Sequence, residues 1–327
     1  MTCISRNLYV ETPEFFFLSL HLTSVFQIPI NIFGFYLIIY KTPKNMESVK
    51  KVFLLLHATS TFLDITLNVL LVPYCIFPAA SGYISGLFAY FRVNMLFCVY
   101  LGLTATCLLA PSLIVTFEDR YNRLVRKDGN TESRKIKRAV HHGINYAIVL
   151  IAYIPILLMD VDQEEGKRQN LSDFPCLPPG YTEHASYIKV SLIVMLPLIF
   201  AMSFSVVQVL ICVILISTHL TQTKAHSKRT SDMQKKFFKA LCLQAAVPLL
   251  LIIAPCMYIQ ISGVIGYLDL LLANITMFWI TYHGIFSTLS MIFIHKPYRE
   301  ATMKPFGFCK SVPTTPMLVA RTSLSLL

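Results

Sequence analysis

Seven long apolar stretches alternate with short polar connections along this chain, at roughly 15–40, 52–77, 88–117, 139–159, 187–216, 240–262 and 270–294. About 20 predominantly apolar residues cross the hydrocarbon of a bilayer, so each stretch predicts a membrane helix. Basic residues fall on alternate connections. The loops after odd-numbered stretches, together with the C-terminal tail, hold all 28 lysines and arginines except Arg6, Arg92, Lys167, Arg168 and Lys189. Cytosolic loops carry the basic excess, which puts the N-terminus outside, the C-terminus in the cytosol and makes the number of crossings odd. The prediction is an all-α membrane protein, a seven-transmembrane helix bundle over 15–295. An extracellular N-terminus at 1–14 precedes it, and a cytosolic tail at 296–327 follows.

With 55% hydrophobic and 14% charged residues over 327 positions, the chain is not a soluble globular domain. A net charge of +11 would suit nucleic acid. Here the excess lies beside membrane spans, where the lipid bilayer and its anionic inner leaflet account for it, so no nucleic-acid partner is expected. Glu11 and Glu14 stand just before the first stretch, where a cleaved signal would be basic. That helix is expected to be retained.

The nine cysteines show no metal-ligand spacing, so neither a metal nor a cofactor is expected. Cys176 lies on the longest outer loop, 160–186, in an oxidising setting that favours a disulfide. Cys98, placed near the outer third of helix three, is its expected partner, with Cys75 as second choice. The same loop carries the sequon Asn170-Leu171-Ser172, which predicts glycosylation at Asn170. A second sequon, Asn274-Ile275-Thr276, falls inside the seventh stretch.

Polar residues inside a span are costly, about 2.5–3.5 kcal/mol for a mid-membrane Asp. Asp64 sits about twelve residues into the second stretch and is therefore expected to face the bundle. Asn68 shares its face one turn further on, and Asn31 lies at similar depth on helix one. The trio reads either as a clasp between helices or as a site whose protonation or ion occupancy differs between two packings. Prolines 29, 73, 111, 155, 197, 248 and 255 predict kinks, and the pair Pro248 and Pro255 suits a helix that swings. Val99, Gly102 and Thr106 share a face of helix three and predict one wall of a ligand pocket. Tyr258, Trp279 and Tyr282 are the expected opposite wall. Beyond the last stretch, 296–309 predicts a short membrane-surface helix anchored by Tyr298, Met303, Phe306 and Phe308, with Cys309 as a palmitoylation candidate.

The inner end of helix three reads Glu118-Asp119-Arg120-Tyr121 and resembles the acid-Arg-Tyr motif of rhodopsin-like receptors. Arg120 is expected to be held by Glu118, Asp119 or an acid on another helix, and to be freed for a G protein on activation. Adjacent residues do not share a helix face, which leaves Glu118 able to serve a neighbouring helix.

Further residues carry a resemblance over nearly the full length. They include Pro29, Asn31, Phe33-Gly34 and Tyr36, then Lys41-Thr42-Pro43 and Met46, then Leu56-His57, Asp64, Pro73-Tyr74 and Pro78. Gly82-Tyr83 and Gly86, Glu118 and Arg120, Gln244, Pro248 and Pro255, and finally His295, Pro297, Tyr298 and Arg299 complete the set. In these the chain resembles the serpentine receptor class H chemoreceptors of nematodes. The resemblance implies a receptor at the cell membrane of chemosensory neurons, in sensory cilia, that detects a small-molecule odorant or other chemical cue and signals through a heterotrimeric G protein. The chain departs from rhodopsin-like receptors in lacking Asn-Pro-x-x-Tyr in helix seven and in placing its only tryptophan, Trp279, there. It has Met95 where such receptors usually place a disulfide cysteine.

The alternative is a membrane transporter or ligand-gated channel. Few intramembrane charges and no inverted repeat count against it. No His/Glu cluster or Ser-centred elbow suggests an enzyme.

Overall fold

The computed structural model describes residues 2–177, 185–188, 192–222 and 228–304. Lys189 and the proposed tail anchors Phe306, Phe308 and Cys309 lie outside the described residues.

Among the described residues, seven helices are long and apolar enough to cross a membrane: Pro13–Tyr40, Val49–Leu71, Met95–Leu124, Glu132–Leu157, Ile199–Gln222, Ser231–Ile265 and Leu270–Ile294. They are named here helices one to seven. Helix three starts later than hydropathy suggests. Residues ahead of it form a separate turn, Leu87–Tyr90, and Arg92 adopts a positive φ of 51° before Asn94 caps the new helix. Helix seven packs on helices six, one and two, and helix three packs on helix five.

Of the seven prolines expected to kink spans, two coincide with a break. Pro29, Pro197, Pro248 and Pro255 lie in helices that continue through them, and Pro73 begins a strand beyond helix two. Helix three breaks at Leu108 between Met95–Cys107 and Leu109–Leu124, because Pro111 has no N–H to offer the Cys107 carbonyl. Helix four breaks at Tyr153 ahead of Pro155. Helix two ends in a π-helical turn, Thr66–Leu71, followed by Val72 at φ 44°. A β-branched residue in the left-handed region is a costly outlier, and it turns the chain back over the bundle.

That reversal starts a β-hairpin, β2 (Pro73–Ile76) with β3 (Ser81–Ile84), to which the second outer loop adds β4 (Ser186–Tyr187). Gly82 faces Cys75 across the hairpin, and a Cβ there would collide with the Tyr74 carbonyl. The N-terminal strand β1 (Thr2–Ile4) pairs in parallel with β5 (Tyr267–Asp269) ahead of helix seven. Arg6 ties the two ends with a bidentate salt bridge to Asp269, at 2.8 and 2.7 Å. Strands therefore cap the outer end of the bundle.

This cap corrects two expectations. Cys176 is bonded to Cys3, not to Cys98 or Cys75. Strand pairing lifts Cys3 onto the outer surface beside the long loop, whereas Cys98 is buried within helix three. Asn170 lies in the loop helix Gln163–Asp173 and is buried, its Nδ2 donating to the Ala79 carbonyl at 2.7 Å. A glycan needs that nitrogen in solvent, so the sequon is not presented as a glycosylation site. Asn274 is buried too and donates to the Val10 carbonyl at 3.0 Å.

At the opposite end, a short helix Lys296–Met303 follows helix seven. Its Tyr298 is fully buried and bonds the Thr42 hydroxyl at 2.9 Å, so it anchors the tail to the bundle rather than to lipid. Val25, Phe26, Ile32 and Ile214 are exposed, as lipid-facing positions are, while Asp64, His283 and Asn31 are buried inside.

Candidate functional site

Three constellations run down the bundle axis. The outermost is a cavity of about 200 Å³ beneath the hairpin. Val99, Gly102 and Thr106 form its helix-three wall, as their spacing predicts, and Phe77 and Tyr83 contribute from the hairpin above. Gly102 keeps it open: a Cβ there would stand 3.2 Å from Leu71 Cδ1. The lining is almost wholly apolar.

The expected opposite wall is corrected. Met277 and Ile280 of helix seven, with Cys256 and Ile259 of helix six, line the cavity instead of Tyr258, Trp279 and Tyr282. Helix seven is rotated so that Trp279 is 48% exposed on the lipid side. Tyr282 turns to helix one and hydrogen-bonds Thr23 at 3.0 Å. The Tyr258 hydroxyl is buried with no partner among the described residues and does not line the cavity. Aromatic bulk misled the sequence reading. A 100° period fixes which residues share a face, but not which way that face points.

Below the cavity lies a buried polar cluster. Asn31 donates from Nδ2 to Asp64 Oδ2 at 2.8 Å and accepts at Oδ1 from Thr288 at 3.2 Å. His283 Nδ1 lies 3.5 Å from Asp64 Oδ1 and bonds the Ile280 carbonyl at 2.8 Å. A carbonyl only accepts, so the Nδ1 proton is in place, and in the neutral ring Nε2 accepts from Ser60 at 3.1 Å. Asn68 donates to Gln27 Oε1 at 2.5 Å rather than to Asp64. The cluster joins helices one, two and seven, as the expected clasp does. His57, whose ring meets the Asn31 carbonyl at 2.9 Å, closes it on the cytosolic side. Sequence reasoning missed His283 and Gln27, although an ionisable side chain such as His283 within a span is itself a signal. Gly284 lets the Asp64 side chain in, since a Cβ there would overlap the carboxylate.

The third constellation is the inner end of helix three. Glu118 serves helix four, accepting from Arg134 at 2.8 Å and Arg138 at 2.7 Å, with His142 at 3.3 Å. Asp119 is held by Arg123 at 2.7 Å and Arg138 at 3.2 Å. Neither acid takes Arg120, which corrects the expected ion pair. Instead its guanidinium carbon lies 4.1 Å from the ring centroid of Phe237 on helix six, and its Nε has no hydrogen-bond partner among the described residues. Tyr121 packs half-buried against the core. Phe237 stacks with Phe53 of helix two at 6.3 Å, and both rings meet His295 just past helix seven, at 5.8 and 5.0 Å. His295 Nε2 donates to Gln244 Oε1 at 2.7 Å. Burial, with the charge of Arg120 beside it, holds the His295 imidazole down to about 4. Arg120 thus sits against an aromatic cluster that joins helices two, three, six and seven.

The chain resembles a known receptor in fold and a receptor family in sequence. The crystal structure of squid rhodopsin superposes with a TM-score of 0.54 at 11% identity, covering 94% of this chain and 90% of that one. No curated protein matches by sequence. The family model described as serpentine type 7TM GPCR chemoreceptor Srh matches residues 11–308. The protein therefore belongs to the Srh family of serpentine seven-transmembrane chemoreceptors, and is a multi-pass membrane protein and a chemosensory receptor of the G-protein-coupled type.

Proposed function

We propose that the cavity beneath the hairpin binds a small, neutral, largely apolar odorant and that its occupancy is read at Arg120 by a heterotrimeric G protein, at the membrane of sensory cilia. The observation that carries this reading is the cavity itself. A closed apolar space of about 150 Å³ is enough for a benzene-sized molecule, and this partly open cavity measures about 200 Å³. Among the described residues its lining has no charged side chain, so an ionic ligand would lose hydration without compensation there.

A ligand shifts the receptor only by its differential affinity for two packings. Helix seven lies where such a difference can travel. It contributes Met277 and Ile280 to the cavity, His283 to the polar cluster, and ends at His295 beside Arg120. No observation favours the transporter or channel reading.

The test is a calcium or cAMP readout in cells expressing the receptor, challenged with a panel of volatile compounds. Gly102→Phe should fill the cavity and abolish responses while surface expression stays near wild type. A Gly102→Phe receptor that reaches the surface and responds normally would place the ligand elsewhere.

A further inference from the structure

A separate cavity of about 360 Å³ opens between the cytosolic ends of helices three and four, lined by Arg123, Arg126, Lys127, Lys135 and Arg138. No carboxylate lines it among the described residues. Its floor is pre-built. Buried Asn122 donates from Nδ2 to the Gly129 carbonyl at 3.2 Å and accepts at Oδ1 from Arg134 at 3.0 Å. A Cβ at Gly129 would stand 2.7 Å from the Asn122 carbonyl oxygen, so a side chain there would push the turn off its floor.

Acids outside the lining hold part of this charge: Asp119 pairs with Arg123, Asp128 with Arg126, and Glu132 with Lys135. Arg138 is shared by Glu118 and Asp119. Lys127 has no ion-pair partner among the described residues and is exposed. Topology alone asks only for basic residues on this loop, not for five of them around one cavity. The site also lies at the membrane boundary, because Ile136 and Val140 of helix four, immediately beyond Lys135, are 64% and 56% exposed and belong in lipid.

We propose that this cavity binds a polyphosphorylated group, that of an inositol phospholipid in the inner leaflet or of a free inositol phosphate. Arginine forks pair phosphate oxygens two at a time, and basic pockets at the cytosolic side of membrane helices suit phosphorylated lipid headgroups. Because acids already hold four of the five cations, a ligand has to compete for them. A polyphosphate does so with more charge and more acceptor oxygens than a singly charged headgroup. Arg123 and Arg138 belong both to the cavity and to the acids beside Arg120, so a bound polyanion competes with Glu118 and Asp119 for them.

The experiment uses the full-length receptor in phosphatidylcholine nanodiscs and measures binding of fluorescent phosphatidylinositol bisphosphate. Saturable binding is expected, weakened about thirtyfold by combined Lys127→Gln and Lys135→Gln and little changed by Lys137→Gln, which lies outside the lining. Circular dichroism and the thermal transition of each variant check that it is folded. Equal losses for Lys137→Gln would mean diffuse surface charge and overturn the site, as would equal displacement by phosphatidylserine. Inositol trisphosphate is the second probe. Binding as tight as the lipid's assigns a soluble ligand, and much weaker binding assigns the membrane. Binding of neither probe overturns the proposal.

Discussion

The guanidinium of Arg120 lies 4.1 Å over the ring of Phe237, while the two acids that precede it in sequence are both taken by other arginines. Among the described residues, helices three and six are therefore held together at the cytosolic end by an aromatic face rather than by an ion pair. A cation–π contact contributes about 0.5–2 kcal/mol. Phe237→Ala should accordingly raise basal signalling roughly 2- to 30-fold, measured as ligand-free cAMP or calcium output per receptor at the surface. Arg120→Ala should abolish signalling and keep ligand binding. Unchanged basal output in Phe237→Ala would show that this contact does not hold the bundle closed.

Mass spectrometry of non-reduced digests should recover a peptide pair joining Cys3 to Cys176. Cys98→Ser should leave that pair intact. Cys3→Ser and Cys176→Ser should lower the thermal transition alike, a removed disulfide costing about 2–5 kcal/mol, because each unties the N-terminal strand from the outer loop. A Cys98–Cys176 peptide would sink this prediction.

Gly284 and Asp64 meet without room for a methyl group between them. Gly284→Ala should therefore destabilise the receptor by about 1–3 kcal/mol, as overpacking does. Combining it with Asp64→Ala should recover part of the loss, with a coupling of about 0.5–3 kcal/mol. Strict additivity of the two substitutions in thermal denaturation would mean that the side chains do not touch.

His295 titrates in the folded protein at about 4, against 6.5 for the free side chain. Between these values the unfolded chain binds a proton that the folded one does not, so stability rises with pH there. The purified receptor should lose stability as pH falls from 6.5 towards 4. His295→Gln should flatten that slope in a pH series of thermal transitions. A slope unaltered by the substitution would assign it to other groups.

Glycosidase treatment should leave the mobility of the wild-type receptor unshifted at Asn170, whose Nδ2 is used by the Ala79 carbonyl. Asn170→Ala should cost about 1–3 kcal/mol, the penalty for leaving a buried acceptor unpaired.

Span number, orientation and the class of receptor were legible in the sequence. They depend on additive one-dimensional quantities: twenty apolar residues cross a bilayer, and basic residues stay in the cytosol. Helical periodicity likewise put Val99, Gly102 and Thr106 on one face, and the cost of an intramembrane carboxylate put Asp64 inside. What periodicity could not supply was the rotation of each helix about its axis. Packing of helix seven on helices one, two and six decided that Trp279 faces lipid while Met277 and His283 face inward. Nor could it supply partners distant in the chain. Cys3 meets Cys176 across 173 residues only because β1 pairs with β5 and draws the N-terminus over the bundle. Arg120 meets Phe237 only because helix four captures the neighbouring acids, leaving helix six as the surface within reach. Sequence sets what a residue costs to bury. Which neighbour repays that cost is settled when the helices pack.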